Sequence, residues 1–141
     1  MDEQLIKMAR MFLSSLPHSQ ALGMEIVSAE AGIAEMRMPY RSEIVGDPET
    51  GVIHGGAVSA LMDTCGGLAA STHSGTFTGT ATLDLRIDYM RAATPGQAIT
   101  ARAECYHATR SVAFVRATAV DDDASHPVAT ATGAFTVEGK K

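Results

Sequence analysis

What this sequence lacks narrows its function before any motif is read. It has no tryptophan and only 5% aromatic residues. Its two cysteines, Cys65 and Cys105, fit no metal-ligand spacing. They permit one disulfide at most, and nothing around them points to an oxidising compartment. No lysine/arginine run offers a stripe for tracking phosphates, and the formal charge is −5, so nucleic acid is excluded as the main partner. No stretch reaches the length of uninterrupted apolar residues that a transmembrane helix needs, so no membrane partner is expected. The start, Met-Asp-Glu, lacks the basic and then apolar run of a secretion signal, and a cytoplasmic location is the expectation. Low-complexity stretches, repeats and linkers are also missing. At 141 residues the chain reads as a single domain over 1–141, long enough to bury a core without metal or disulfide staples.

What is present is organised around Gly51–Ser71, G-V-I-H-G-G-A-V-S-A-L-M-D-T-C-G-G-L-A-A-S. It reads as a buried helix from about Gly55 to Thr72. Asp63 is its only carboxylate, and the only formally charged residue from Thr50 to Leu83 with histidine counted neutral. Isolating a carboxylate in apolar surroundings is costly, so its retention asks for a use, chemical or structural. The pair Gly66-Gly67 costs helix stability and suggests that another backbone or a ligand comes very close there. Eight methionines and many alanines and glycines point the same way, to small, closely approaching surfaces.

Around this helix the pattern predicts an N-terminal helix over about 2–14, ended by Pro17. Strands follow at Met24–Ala29 and Ile33–Tyr40, with a hairpin turn at Ala31-Gly32, and then a loop over Arg41–Thr50. Beyond the central helix, Thr80–Met90 alternates, with Ala81, Leu83, Leu85, Ile87 and Tyr89 on one face and Thr80, Thr82, Asp84, Arg86 and Asp88 on the other. Three more strands are expected at Gln97–His107, Ser111–Val120 and Pro127–Val137, with Asp121-Asp122-Asp123 as a solvated tip. A six-stranded antiparallel sheet wrapped on one long central helix accounts for this order, an α+β class.

Two features of the helix can do chemistry. Its first turn, at Gly55-Gly56, has backbone N–H groups without internal partners and no Cβ to obstruct an oxygen, which suits a polarised carbonyl. Asp63 can serve as general base or as nucleophile on an acyl carbon, or be tied structurally to a backbone amide or a nearby threonine. Eight residues of helix separate Gly55 from Asp63, about 12 Å along the axis at 1.5 Å per residue. One carbonyl cannot touch both, so a catalytic reading requires two copies of the chain. Alternatives are weaker. Ser59 lacks the G-x-S-x-G elbow. His18, His54, His73, His107 and His126 show no i,i+4 ligand spacing, and no phosphate-binding glycine motif is present.

The string His54-Gly55-Gly56, followed after six residues by Asp63 and preceded by Gly51-Val52-Ile53, resembles the helix signature of hotdog-fold acyl-CoA thioesterases, PaaI-like branch. Thr82-Leu83-Asp84-Leu85-Arg86-Ile87-Asp88-Tyr89-Met90-Arg91, with Thr94-Pro95-Gly96 after it, is similar to that branch's next strand and turn. The resemblance covers roughly residues 20–137 and implies a hotdog fold that hydrolyses an acyl- or aryl-acyl-CoA without metal or redox cofactor. It implies Asp63 as the catalytic carboxylate, the N–H of Gly55 in the opposing subunit as carbonyl donor, His54 as the shaper of that turn, and Thr82 as a guide for water. Asp47 stands where the family often has Asn or Gln, and a carboxylate donates no hydrogen bond unless protonated. Arg91 and Arg110 are candidates for the CoA phosphates, and Gly56, Met62, Leu61 and Phe77 for the substrate pocket. Family members are dimers, usually paired into tetramers, so a homodimer is required and a homotetramer expected. Two competitors are an acyl-CoA-binding sensor without catalysis and a hotdog hydratase or dehydratase. The latter generally needs a histidine beside the acid.

Overall fold

Strands that present alanine on one face allow a helix to lie close against them, and here that face belongs to a single curved sheet. The computed structural model describes residues 2–138. Helix α1 (Glu3–Ser14) is capped by Asp2, whose carboxylate accepts the N–H groups of Gln4 and Leu5. It buries Leu5, Ile6, Ala9 and Leu13 and leaves Met8, Met11 and Phe12 outside. Next come α2 (Pro17–Ala21), β1 (Glu25–Glu30), β2 (Ile33–Met38), a 3-10 turn (Ser42–Ile44) and a small hairpin of β3 (Val45–Asp47) and β4 (Val52–Ile53). The long helix α3 (Gly55–Ser71) follows, then β5 (Thr80–Tyr89), β6 (Ile99–Ala108), β7 (Val112–Val120) and β8 (Ala129–Val137).

The main sheet is antiparallel with strand order β1-β2-β6-β7-β8-β5, and α3 lies across its inner face. Ala34, Ala101, Ala103, Ala113, Ala117 and Ala119 are buried beneath the helix layer. Their small side chains bring α3 close enough for the Cys65 thiol to donate to the carbonyls of Ala34 and Ala101, at 3.4 and 3.6 Å. Burial pushes that thiol up to about 12, which makes Cys65 a core residue and no nucleophile. Cys65 and Cys105 are both free.

Three local expectations change. Pro17 does not merely end the first helix. It opens α2 from the N1 position, where its missing N–H costs nothing. The segment expected as a plain loop before α3 folds into the β3–β4 hairpin. The strict alternation expected along β5 is broken by a bulge, since Thr82 pairs with Phe135 and Asp84 with Ala134, leaving Leu83 extra. The bulge reverses the phase of the strand. Thr80 and Thr82 face α3 before it, and Leu85, Ile87 and Tyr89 face α3 after it.

Gly66 is explained by packing. A Cβ there would lie 2.9 Å from Cζ of Phe135, whose ring is buried against the helix. An aromatic ring, neither backbone nor ligand, is what comes close at this position. Gly66→Val is expected to cost about 1–3 kcal/mol through overpacking and to lower the thermal midpoint, read by thermal unfolding.

Arg91, expected among the CoA ligands, is instead committed within the fold. Its guanidinium makes a two-pronged bridge to Asp121 at 2.8 and 2.6 Å and also donates to the carbonyl of His126. Asp121 is buried, and the Arg91 bridge, helped by the N–H groups of Thr94 and Asp123, holds its carboxyl well below the ordinary 3.8 despite that burial. The folded chain therefore releases this proton more readily than the unfolded one. The bridge's contribution is complete above the ordinary value and drains away as the pH falls through the folded one. Asp121→Asn is expected to cost about 3 kcal/mol at neutral pH. Its deficit against the unmodified chain should shrink below pH 3.8, measured by urea titration across pH.

Candidate active site

His54 caps α3 from an extended backbone, and its own N–H is anchored to the Ile44 carbonyl at 2.8 Å. Its Nδ1 accepts the Gly56 N–H at 2.8 Å, so the neutral ring carries its proton on Nε2. The carbonyl of His54 accepts from Ala57 at 3.0 Å. Gly55 alone in this turn keeps an N–H with no acceptor among the described residues. The two glycines thus differ. Gly56 serves the cap, and a Cβ there would sit 2.8 Å from the His54 Nδ1 and displace it. The exposed Gly55 offers a free donor at the positive end of a 17-residue helix.

Asp63 lies farther along α3, half-buried. Thr82 Oγ1, brought inward on the β5 segment before the bulge, donates to its Oδ1 at 2.7 Å. The carboxylate is therefore neither isolated nor saturated, because its second oxygen has no hydrogen-bond partner among the described residues. It lines an open cleft of about 460 Å³ together with His18, Ser59, Thr64, Leu85 and Ile87. Gly55 lines a different cavity, of about 270 Å³, with Val58, Tyr89 and Val128. The Tyr89 hydroxyl donates to the Gly55 carbonyl at 2.8 Å, which ties the far end of β5 to the start of α3. Within one chain the free N–H and the carboxylate thus occupy separate openings.

The remaining sequence candidates separate from these. The Asp47 carboxylate is used by its own turn, accepting from Thr50 Oγ1 at 2.9 Å and the Glu49 N–H at 3.0 Å, and these bonds lower its pKa. Met62 and Leu61 are fully buried and line none of these openings, because one and two residues of helix rotate their side chains about 100° and about 200° away from Asp63. Phe77 stacks at a tilt on Phe12, with ring centroids 5.1 Å apart. Arg91 lines the Gly55 cavity, but with its guanidinium held by Asp121. Arg110 makes no ion pair among the described residues and borders a hydroxyl-rich cavity of about 330 Å³ with His73, Ser74, Thr76, Thr78 and Glu138. His18 is the cleft residue that the sequence does not reveal. It approaches Asp63 only because α2 folds onto α3, and no local pattern encodes that contact. Among the described residues no three His, Cys, Asp or Glu side chains converge as a metal site, and no helix is long and apolar enough to cross a membrane.

Comparison with known proteins bears on this arrangement. The family model described as the thioesterase superfamily matches residues 50–126, which include all of α3 and β5. A medium/long-chain acyl-CoA thioesterase, YigI, of Salmonella typhimurium and of Escherichia coli is 28% identical over 149 residues, spanning 96% of this chain and 95% of that protein. A solved structure from Pseudomonas aeruginosa superposes with a TM-score of 0.84 at 44% identity, covering 94% of this chain and 98% of the other. The E. coli PaaI protein of the phenylacetic acid degradation operon shares the fold, with a TM-score of 0.81 over 94% of this chain and 92% of its own, at 22% identity. The sheet wrapped on α3 is accordingly the hotdog fold expected from the helix and strand motifs. With more than half of its length matched by the family model, this chain belongs to the thioesterase superfamily.

Proposed function

We propose that two copies of this chain together hydrolyse an acyl- or aryl-acyl-CoA thioester to the free acid and CoA. The observation that carries this reading is the Thr82–Asp63 hydrogen bond, which orients a carboxylate in an open cleft while leaving one of its oxygens unpaired among the described residues. That oxygen can take a proton from water as the water attacks the thioester carbon, or can attack the carbon itself to form a mixed anhydride that water then hydrolyses to the free acid and the restored carboxylate. The C=O bond becomes a C–O⁻ bond in the tetrahedral intermediate, and a free backbone N–H is suited to hold it. Collapse breaks the C–S bond, and CoA leaves as a thiolate that regains a proton. Protein groups and water suffice for every step.

The donor comes from the second copy. β5 is an edge strand, unpaired on one side among the described residues, with Leu83 and Tyr89 exposed along it. Such an edge invites pairing. With Leu83 bulged out, Thr82 and Tyr89 are separated by six steps of the β8 ladder, about 20 Å at roughly 3.3 Å per residue. In an antiparallel β5–β5 pair related by a two-fold axis, the Thr82 end of one strand meets the Tyr89 end of the other. Tyr89 is bonded to Gly55 and Thr82 to Asp63, so the same operation carries the Gly55 N–H of one copy toward the Asp63 of the other. Further pairing of dimers gives a tetramer. Arg110, which makes no ion pair among the described residues, is a better candidate for the CoA phosphates than Arg91, whose guanidinium is held by Asp121.

Thiol release from a panel of alkyl- and aryl-acyl-CoAs tests the chemistry. Asp63→Asn is expected to lose about a hundredfold or more of kcat while the protein stays folded and dimeric. Mixing it with Gly55→Val and refolding should restore about one quarter of full activity, since half the dimers regain one of two sites. No recovery would refute the shared site. No turnover on any ester, with CoA-ester binding intact, would leave a sensor in place of an enzyme. Arg110→Ala should raise KM about tenfold, the loss of one charge-assisted contact, with kcat little changed. An unaltered KM would remove Arg110 from the phosphate site.

A further inference from the structure

Gly66 and Gly67 are adjacent in α3, yet only one of them is demanded by packing. A Cβ on Gly66 would strike the Phe135 ring, whereas a Cβ on Gly67 would meet Thr80 Cγ2 at 3.6 Å and Phe135 Cε1 at 3.8 Å, ordinary contact distances. Gly67 also lacks a left-handed backbone. Alanine would fit there and would favour the helix. What Gly67 leaves open is a second cavity, about 170 Å³ in volume, walled by Phe12, Leu16, Leu68, Ala81 and Phe135.

This cavity and the larger cleft share two residues, Asp63 and Thr64. Asp63 therefore stands where an opening of mixed character, with His18 and Ser59 beside Leu85 and Ile87, meets a more apolar one in which Phe12, Leu16, Leu68, Ala81 and Phe135 outweigh the Thr80 and Thr82 side chains. A thioester whose carbonyl carbon lies at Asp63 has two arms, a long polar pantetheine on sulfur and an apolar tail on carbon. The two openings match those two arms. Phe12 of α1 is part of the wall of the tail cavity, 40% exposed and resting on Phe77 rather than in the core. At about 30 Å³ for each water-sized group, the cavity takes on the order of six non-hydrogen atoms.

Resting on the thioesterase reading above, we propose that Gly67 and Phe12 set the acyl-chain length. Gly67 is the floor kept clear for the tail, and Phe12 is the stop at its end. The substrate class is then an acyl-CoA with a medium tail of about six carbons beyond the carbonyl, or an aryl group of the same bulk.

The test uses the full-length protein, S-alkyl-CoA thioethers of graded length as non-hydrolysable probes, and turnover of the matching acyl-CoAs. Affinity should rise about fourfold per methylene, the usual value of a buried CH₂, and level off near six tail carbons. Gly67→Ala should raise the thermal midpoint and move the plateau to shorter tails, with at least fivefold weaker binding of the six-carbon tail. Phe12→Ala leaves the buried face of α1 untouched and should move the plateau to longer tails. A plateau that stays in place in both variants overturns the proposal, as does a Gly67→Ala protein that is less stable, since packing would then explain the glycine. Turnover with an unmoved plateau refutes the tail cavity and spares the thioesterase reading. A moved plateau without any turnover does the reverse.

Discussion

The arrangement depends on one rung of the sheet. Thr82 on β5 and Phe135 on β8 are cross-strand partners, and each touches α3, Thr82 by its hydrogen bond to Asp63 and Phe135 by its ring against Gly66. Asp63 and Gly66 are three residues apart, hence neighbours on one helix face. A pair on the helix is thus matched to a pair on the sheet. The apolar contact sets the depth and rotation of the helix, and the polar contact then falls at hydrogen-bonding distance. Without the close approach at Gly66 the helix would ride higher on the sheet, and the Thr82 hydroxyl would have no carboxylate to meet.

The bulge at Leu83 extends the consequence along β5. A regular strand would place Thr82 and Leu85 on opposite faces. With the extra residue, the threonine that orients the acid and the aliphatic side chains that wall its cleft all face α3. The outward and edge positions then carry Leu83, Asp84, Arg86 and Asp88, on a strand with one side unpaired among the described residues. Cleft wall and unpaired edge are therefore properties of the same ten residues.

The most tightly held charges lie elsewhere. Arg91 and Asp121 tie the segment after β5 to the end of β7, and Asp47 ties its own turn, so charged residues that stand out in a sequence are in both cases scaffolding. Their carboxyls are lowered because every oxygen is engaged. Asp63 differs in having one oxygen engaged and, among the described residues, one without a partner, the condition that leaves a carboxylate able to act.

Much of this was legible in the residues themselves. The apolar run with one acid gave away α3, the glycine pair gave its start, and alternation gave the long strands, because those signals are periodic and local. The separation of Gly55 from Asp63 followed from helical rise alone. Partnerships across the chain were not legible. His18 reaches the cleft through α2 packing, Arg91 finds Asp121 thirty residues away, and the Leu83 bulge depends on the register of β8. Nor could the sequence tell Gly66 from Gly67, since both lack a Cβ for reasons that lie in what faces them. Local periodicity is written in the order of residues. Which side chain fills the space opposite a given atom is decided only when strands and helix are stacked.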